Sequence, residues 1–223
     1  VRIKWENGAV PGVEGLPQGT AVTRHASWPP PGLQAEALYL HPDGQLWDFT
    51  STVPDQAARS ASAYTYDPTT KRRKTLDAGR EEAWGPHPDY RWDPLAEGNS
   101  SSFVTAPFTD TVAYAGQGSV DLWIRSSATD TDIEATLTEV RPDGQEVFIQ
   151  SGWLRASHRQ LDPARSTELV PFHTHQAEDA EPSPAGQYTP VRTELFPFAP
   201  VIRPGPQLRL NIEAPGGNQP FWM

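Results

Sequence analysis

His173-Thr174-His175, with Glu178 close behind, has the residue types of a transition-metal site. Imidazoles at i and i+2 of a strand project from one face, where a carboxylate could complete the set. Double-stranded β-helix metal enzymes use a similar His-x-His followed by Glu, but with a longer gap before Glu and a Gly-led segment upstream. Here Glu178 follows after two residues, that Gly is missing, and an acidic, Pro-rich stretch comes next. Exposed or hydrogen-bonded histidines are therefore the expectation, and no metal or other cofactor is assigned. Asp130-Thr131-Asp132 offers too few carboxylates for calcium, which takes ~6–8 oxygens. Asp130 is expected instead to accept backbone amides at the turn into a strand.

Nucleophilic chemistry fares no better. An esterase elbow is Gly-x-Ser-x-Gly on a sharp strand-to-helix turn, and that pentad is absent. Ser119, after Gly116-Gln117-Gly118, opens a strand. The string Trp153-Leu154-Arg155-Ala156-Ser157-His158-Arg159 is rich in polar groups, but a catalytic histidine needs a nucleophile beside it. Arg155, His158 and Arg159 read as a network that fixes a loop or meets another domain. Trp84, Tyr90 and Trp92 could stack a sugar or pack on a partner domain; the residues favour neither. Lys71-Arg72-Arg73-Lys74 reads as a solvated loop and is the basic cluster of a chain with 18 basic against 28 acidic residues, net charge −10. Phosphate backbones need a concentrated basic surface, so nucleic acid is excluded as a partner.

The elements that must carry these residues are strands. With 24 Pro and 17 Gly in 223 residues, long helices are hard to place. Hydrophobics at 36%, including eight Trp, support a packed core. No run of ~18 apolar residues exists to cross a membrane as a helix. Zero Cys excludes disulfides, thiolate zinc sites and a cysteine nucleophile. Alternation of period two predicts strands over 207–213, with Leu208, Leu210 and Ile212 on one face, and over 132–138. In the latter, Ile133, Ala135 and Leu137 should face inward, and Glu134, Thr136 and Thr138 the solvent. Val120, Leu122 and Ile124 alternate with Asp121, Trp123 and Arg125, and the Trp suggests that this second face is covered too, at least partly. Further strands are expected at 37–40, 45–49, 61–66, 103–105, 112–115, 146–150, 153–156 and 189–196. His41-Pro42-Asp43-Gly44 and Arg141-Pro142-Asp143-Gly144 should reverse the chain between paired strands. Residues 6–35, 67–100 and 176–187 show no regular pattern, and 176–187 looks like a solvated acidic loop. Some ten short strands make an antiparallel jelly roll or sandwich the natural architecture.

In order along the chain, several strings resemble one family. They are Tyr64-Thr65-Tyr66-Asp67-Pro68, Phe103-Val104-Thr105-Ala106-Pro107-Phe108, and Val120-Asp121-Leu122-Trp123-Ile124 leading into Ala128-Thr129-Asp130-Thr131-Asp132-Ile133-Glu134-Ala135-Thr136-Leu137. Then come the Pro142-Asp143-Gly144 turn, Gly152 to Arg159 as a Gly-x-x-Arg-x-x-x-Arg strand exit, Phe196-Pro197-Phe198-Ala199, and Arg203 to Leu210. From about Trp28 to Ile212 the chain resembles the C-terminal, non-catalytic β domain of the X-Pro dipeptidyl-peptidase, cocaine esterase and α-amino-acid ester hydrolase family of serine hydrolases.

That resemblance implies an all-β, galactose-binding-like jelly-roll sandwich with long irregular loops. Residues 1–35 would form an extended lead-in packed on it, and residues 36–223 the sandwich itself, a fragment of a longer hydrolase. The implied parent cleaves esters, amides or X-Pro peptides through a Ser-His-Asp triad in a preceding α/β-hydrolase domain, the expected partner. No catalytic residue transfers to this chain. Residues 69–100 fall where the family's loop approaches the catalytic domain, which marks Trp84, Tyr90 and Trp92 as contact candidates beside Arg155, His158 and Arg159. The competing reading is an autonomous carbohydrate-binding jelly roll.

Overall fold

The computed structural model describes residues 1–9, 17–48, 61–67 and 98–215. Its strands are β1 (Arg2–Ala9), β2 (Pro17–Arg24), β3 (Tyr39–Leu40), β4 (Leu46–Trp47), β5 (Ser100–Val104), β6 (Val112–Ala113) and β7 (Gly116–Ile124). β8 (Asp132–Val140), β9 (Glu146–Arg155), β10 (Thr189–Phe198), β11 (Val201–Ile202) and β12 (Gln207–Glu213) complete the set. Among the described residues there is no α-helix, only short 3-10 turns at Ala156–His158 and Ala177–Asp179.

The principal sheet is antiparallel, in the order β5-β12-β8-β9, and a β10-β7 ribbon packs over it. Phe103, Ile133, Ala135, Leu154, Leu210 and Ile212 from the sheet meet Val120, Val191 and Leu195 from the ribbon in one buried cluster. This is an all-β sandwich. Alternation located β12 to the residue, because one face of each strand must supply that cluster. The expected pieces 146–150 and 153–156 are one continuous strand, β9. Residues 61–66 do not form the expected strand; Thr65 N bonds Gly98 O at 2.9 Å and Tyr64 packs against the core cluster.

Four other expectations are corrected. Glu134, Thr136 and Thr138 are fully buried rather than wet, while Leu137 is only half-buried. Burial of these polar groups is tolerated because they are hydrogen-bonded. Thr136 Oγ1 meets Ser151 Oγ at 2.9 Å, and Thr138 Oγ1 donates to Glu146 Oε1 at 2.6 Å. Arg209 then neutralises Glu146 at 2.7 Å. Trp123, expected to be covered, is 70% exposed. Residues 2–9 and 17–24, which reach into the 6–35 segment with no pattern, pair as a β1–β2 hairpin whose bulges near Trp5 and Glu6 break the alternation. Buried Ile3 and a bond from Glu6 N to Ala199 O at 3.0 Å attach the hairpin beside β11. The fourth, the acidic loop, belongs with the site below.

Both x-Pro-Asp-Gly segments turn as expected. Gly44 and Gly144 have φ of +77° and +84°, and each donates its N–H back to residue 41 or 141, at 3.0 and 2.9 Å. The Asp between them accepts the next amide, Asp43 from Gln45 and Asp143 from Gln145.

Candidate functional site

Where β9 ends, the chain enters the turn Ala156–His158, and the polar string of the sequence comes together there. Asp132 and Arg155 are cross-strand partners at the ends of β8 and β9. Their register predicts contact, and Arg155 donates through Nε and Nη2 to the two Asp132 oxygens at 2.7 and 2.8 Å. That bidentate bond, with the attraction of the carboxylate, raises the guanidinium's affinity for its proton.

Asp130 anchors the next turn. It accepts from Ser157 N at 2.9 Å, Ser157 Oγ at 2.7 Å and Thr131 N at 3.0 Å. Partial burial would raise this carboxyl, but the bonds from Ser157 and Thr131, with Arg155 nearby, together hold it below the usual range. The expected role of Asp130 as an acceptor of turn amides is what the structure shows. Ser157 adjoins His158, yet its hydroxyl donates to Asp130, so it is not poised as a nucleophile.

Arg159 reaches outward to the acidic segment. It donates to Ala156 O at 3.2 Å and to both the carbonyl and the carboxylate of Glu181. Glu181 N returns a bond to Ser157 O at 2.8 Å, Ser183 N bonds Thr129 O at 2.8 Å, and Gly186 N bonds Ser126 O at 2.8 Å. Residues 176–187 are thus largely exposed, as expected, but fastened along their length; the simple solvated loop is corrected to a strap.

The histidines gather beside it. A short antiparallel contact, with Leu161 bridged to His173 and Thr174 N bonded to Gln160 O at 3.1 Å, sets His175 between His173 and His158. Ring centroids lie 5.6 Å apart for His173–His175 and 6.2 Å for His158–His175. His175 has a left-handed φ of 51°. His173 is buried, its Nε2 has no hydrogen-bond partner, and its pKa is pushed down to about 4, chiefly by desolvation and then by His175. The expectation that both histidines are exposed or hydrogen-bonded holds: His175 is exposed, and His173, though buried, keeps a hydrogen bond to the Arg192 backbone. Among the described residues, no group of three or more His, Asp or Glu side chains stands ready to hold a metal ion.

The structure therefore brings Arg155, His158 and Arg159 into one region, each engaged with its own domain. Trp84, Tyr90, Trp92 and the run Lys71–Lys74 lie outside the described residues. Sequence reasoning missed Arg192, which clamps Asp121 at 2.9 Å and the carbonyls of Thr167 and Glu168. The signal was the Arg192–Asp121 register of β10 on β7, invisible until the strands are aligned.

The charged side chains of this all-β sandwich thus fasten its own turns. The chain belongs to the family of X-Pro dipeptidyl-peptidase C-terminal non-catalytic domains, whose model matches residues 9–219. It is 28% identical over 194 residues to a Mycobacterium bovis protein named as a candidate serine esterase, covering 83% of this chain and 29% of that protein. Two solved structures share the fold. A CocE/NonD family hydrolase from Staphylococcus aureus matches with a TM-score of 0.62 at 19% identity, covering 94% of this chain and 33% of that one. An aminopeptidase from a marine sediment Thaumarchaeota archaeon matches with a TM-score of 0.63 at 18% identity, covering 90% and 34%. The chain spans about a third or less of the length of these relatives.

Proposed function

We propose that this chain serves as the accessory β domain of a serine hydrolase, walling one side of the substrate cleft and stabilising the catalytic domain. The observation that carries the reading is the match of residues 9–219 to a non-catalytic domain family, in a chain that spans under a third of a candidate serine esterase. A rigid wall beside a reaction site excludes water and shapes the acyl or leaving-group pocket. The fastened strand exit around Asp130, Arg155 and Arg159 suits such a wall, because an ordered surface binds with little entropic loss. Trp84, Tyr90 and Trp92 are the proposed contacts from the loop toward the catalytic domain, with Arg155, His158 and Arg159 supporting that edge. The substrate class is an acyl ester, an amide or an X-Pro peptide.

The test compares the parent hydrolase with a version lacking these 223 residues, using nitrophenyl acyl esters and X-Pro peptides. The expected result is a loss of kcat/KM that differs between large and small acyl groups, together with a lower unfolding temperature. Identical kinetics and stability in the shortened protein would overturn the proposal.

A further inference from the structure

Trp123 is the most exposed large apolar side chain among the described residues. It stands on the outward face of the β7–β10 ribbon, opposite Pro190, which is exposed as well. Tyr188, 51% exposed, lies just before β10, and Arg125 sits over its ring at 5.0 Å. An exposed Trp, Tyr and Pro on one side of a two-stranded ribbon leave apolar area in water, as recognition surfaces do. The composition is that of an interface centre, aromatic residues with Arg. The surroundings are already ordered: Arg192 binds Asp121, Thr167 and Glu168, and Gln117 binds Glu194 at 2.9 Å. A face held this way loses little freedom when it is covered.

We infer that the Trp123–Tyr188–Pro190 face is a second surface, beside the proposed loop and strand-exit contacts, on which the catalytic domain of the parent hydrolase docks. This rests on the proposed accessory role. About two-thirds of the length of the relatives lies outside the region matched by this chain, so a large companion must find a surface on this one. The matching surface on that companion would be an apolar recess for the indole, with a carboxylate or carbonyl facing Arg125.

The experiment is hydroxyl-radical oxidation read by mass spectrometry at Trp123, in this chain alone and in the intact parent, with ester hydrolysis measured on the same parent sample. The expected result is oxidation several times slower in an active parent, independent of concentration. Equal oxidation in a parent that turns over esters overturns the docking face and leaves the accessory role standing. A parent without hydrolase activity removes the accessory role and this inference with it. Protection that rises with concentration of the isolated chain assigns the face to a second copy and also overturns the inference. As a second readout, Trp123→Arg should split the parent's thermal unfolding into two transitions while leaving the midpoint of the isolated chain unchanged. A single unshifted transition in the parent counts against docking.

Discussion

Asp130 and His173 are the two titrating side chains whose surroundings have the clearest consequences. Asp130→Asn keeps an oxygen for the Ser157 and Thr131 amides but puts an amide NH2 where the carboxylate accepts from Ser157 Oγ, and it removes the charge that strengthens all three bonds. The expected cost is about 1–2 kcal/mol in a urea titration, as for a lost hydrogen bond to a charged group. The folded pKa of Asp130 lies below its unfolded value, so its contribution is present above the unfolded value and lost as pH falls through the folded one. His173 behaves alike, for another reason. Burial keeps it neutral, so the unfolded chain binds the extra proton between the ordinary 6.5 and about 4. Stability is then complete above 6.5 and falls as pH drops toward 4, by roughly 1–2 kcal/mol once solvent screening is allowed for. The groups against it, His175 and Arg192, are both basic, and the one hydrogen bond to its ring comes from the Arg192 backbone rather than from a counter-charge. His173→Gln should flatten the urea midpoint between pH 7.5 and 5; an unchanged slope would show that another group titrates there.

Among the strands and turns, two glycines separate strain from collision. At Gly144, φ is +84° and a Cβ would meet nothing within 4 Å, so Gly144→Ala should cost only about 1 kcal/mol of left-handed strain. At Gly152, a Cβ would lie 1.5 Å from the backbone oxygen of Glu194, where β9 crosses β10. Backbone cannot swing aside as a side chain can. Gly152→Ala should therefore cost roughly 2–3 kcal/mol or more, as in overpacked cores, and thermal unfolding distinguishes the two variants. The strap offers a third contrast: Arg159→Ala removes its hold on Glu181, and a Glu-specific protease should then cut the 176–187 segment several times faster. Much of this was legible beforehand. Leu208, Leu210 and Ile212 gave β12, Asp143 and Gly144 gave the turn, and Asp130 gave its cap, because each is a local pattern with a local cause. The buried Thr136 and Thr138 were misread because a polar residue announces solvent unless its partners are known. Those partners, Ser151 and Glu146, come from another strand. The same limit hid Arg192, the β1–β2 hairpin and the close approach at Gly152. Of the candidate site, Arg155 and Arg159 could be recognised as network residues, while the residues they bind required the register of β8 on β9 and the path of the strap.

Taken as one molecule, the fold places its last described strand at the centre of its main sheet. β12 lies between β5 and β8, and Leu208 N bonds Thr105 Oγ1 across 103 residues of sequence. The β10–β7 ribbon closes over a similar gap, with Gln117 bonded to Glu194 across 77 residues. Long-range pairing of this kind delays the reward for chain closure, so folding should fall in the range of ~milliseconds to seconds typical of sandwiches. It also makes the two ends unequal. The β1–β2 hairpin is joined to the sandwich through buried Ile3 and the Glu6–Ala199 bond, at the margin beside β11. A chain beginning at His25 should keep the sandwich and lose about 2–4 kcal/mol, the scale of burying one Ile together with a few backbone contacts. A chain ending at Pro206 lacks β12, which strands β5 from β8 and uncovers Phe103, Ile133 and Ala135. No edge strand can close that gap, because both neighbours need their ladder bonds from the same seven residues. The shorter C-terminal cut should therefore abolish near-ultraviolet circular dichroism and produce strong dye binding to exposed apolar surface. The larger N-terminal cut should leave a cooperative transition at a lower urea concentration. If the chain ending at Pro206 unfolded as cooperatively as the intact one, β12 would not be the keystone of the sheet.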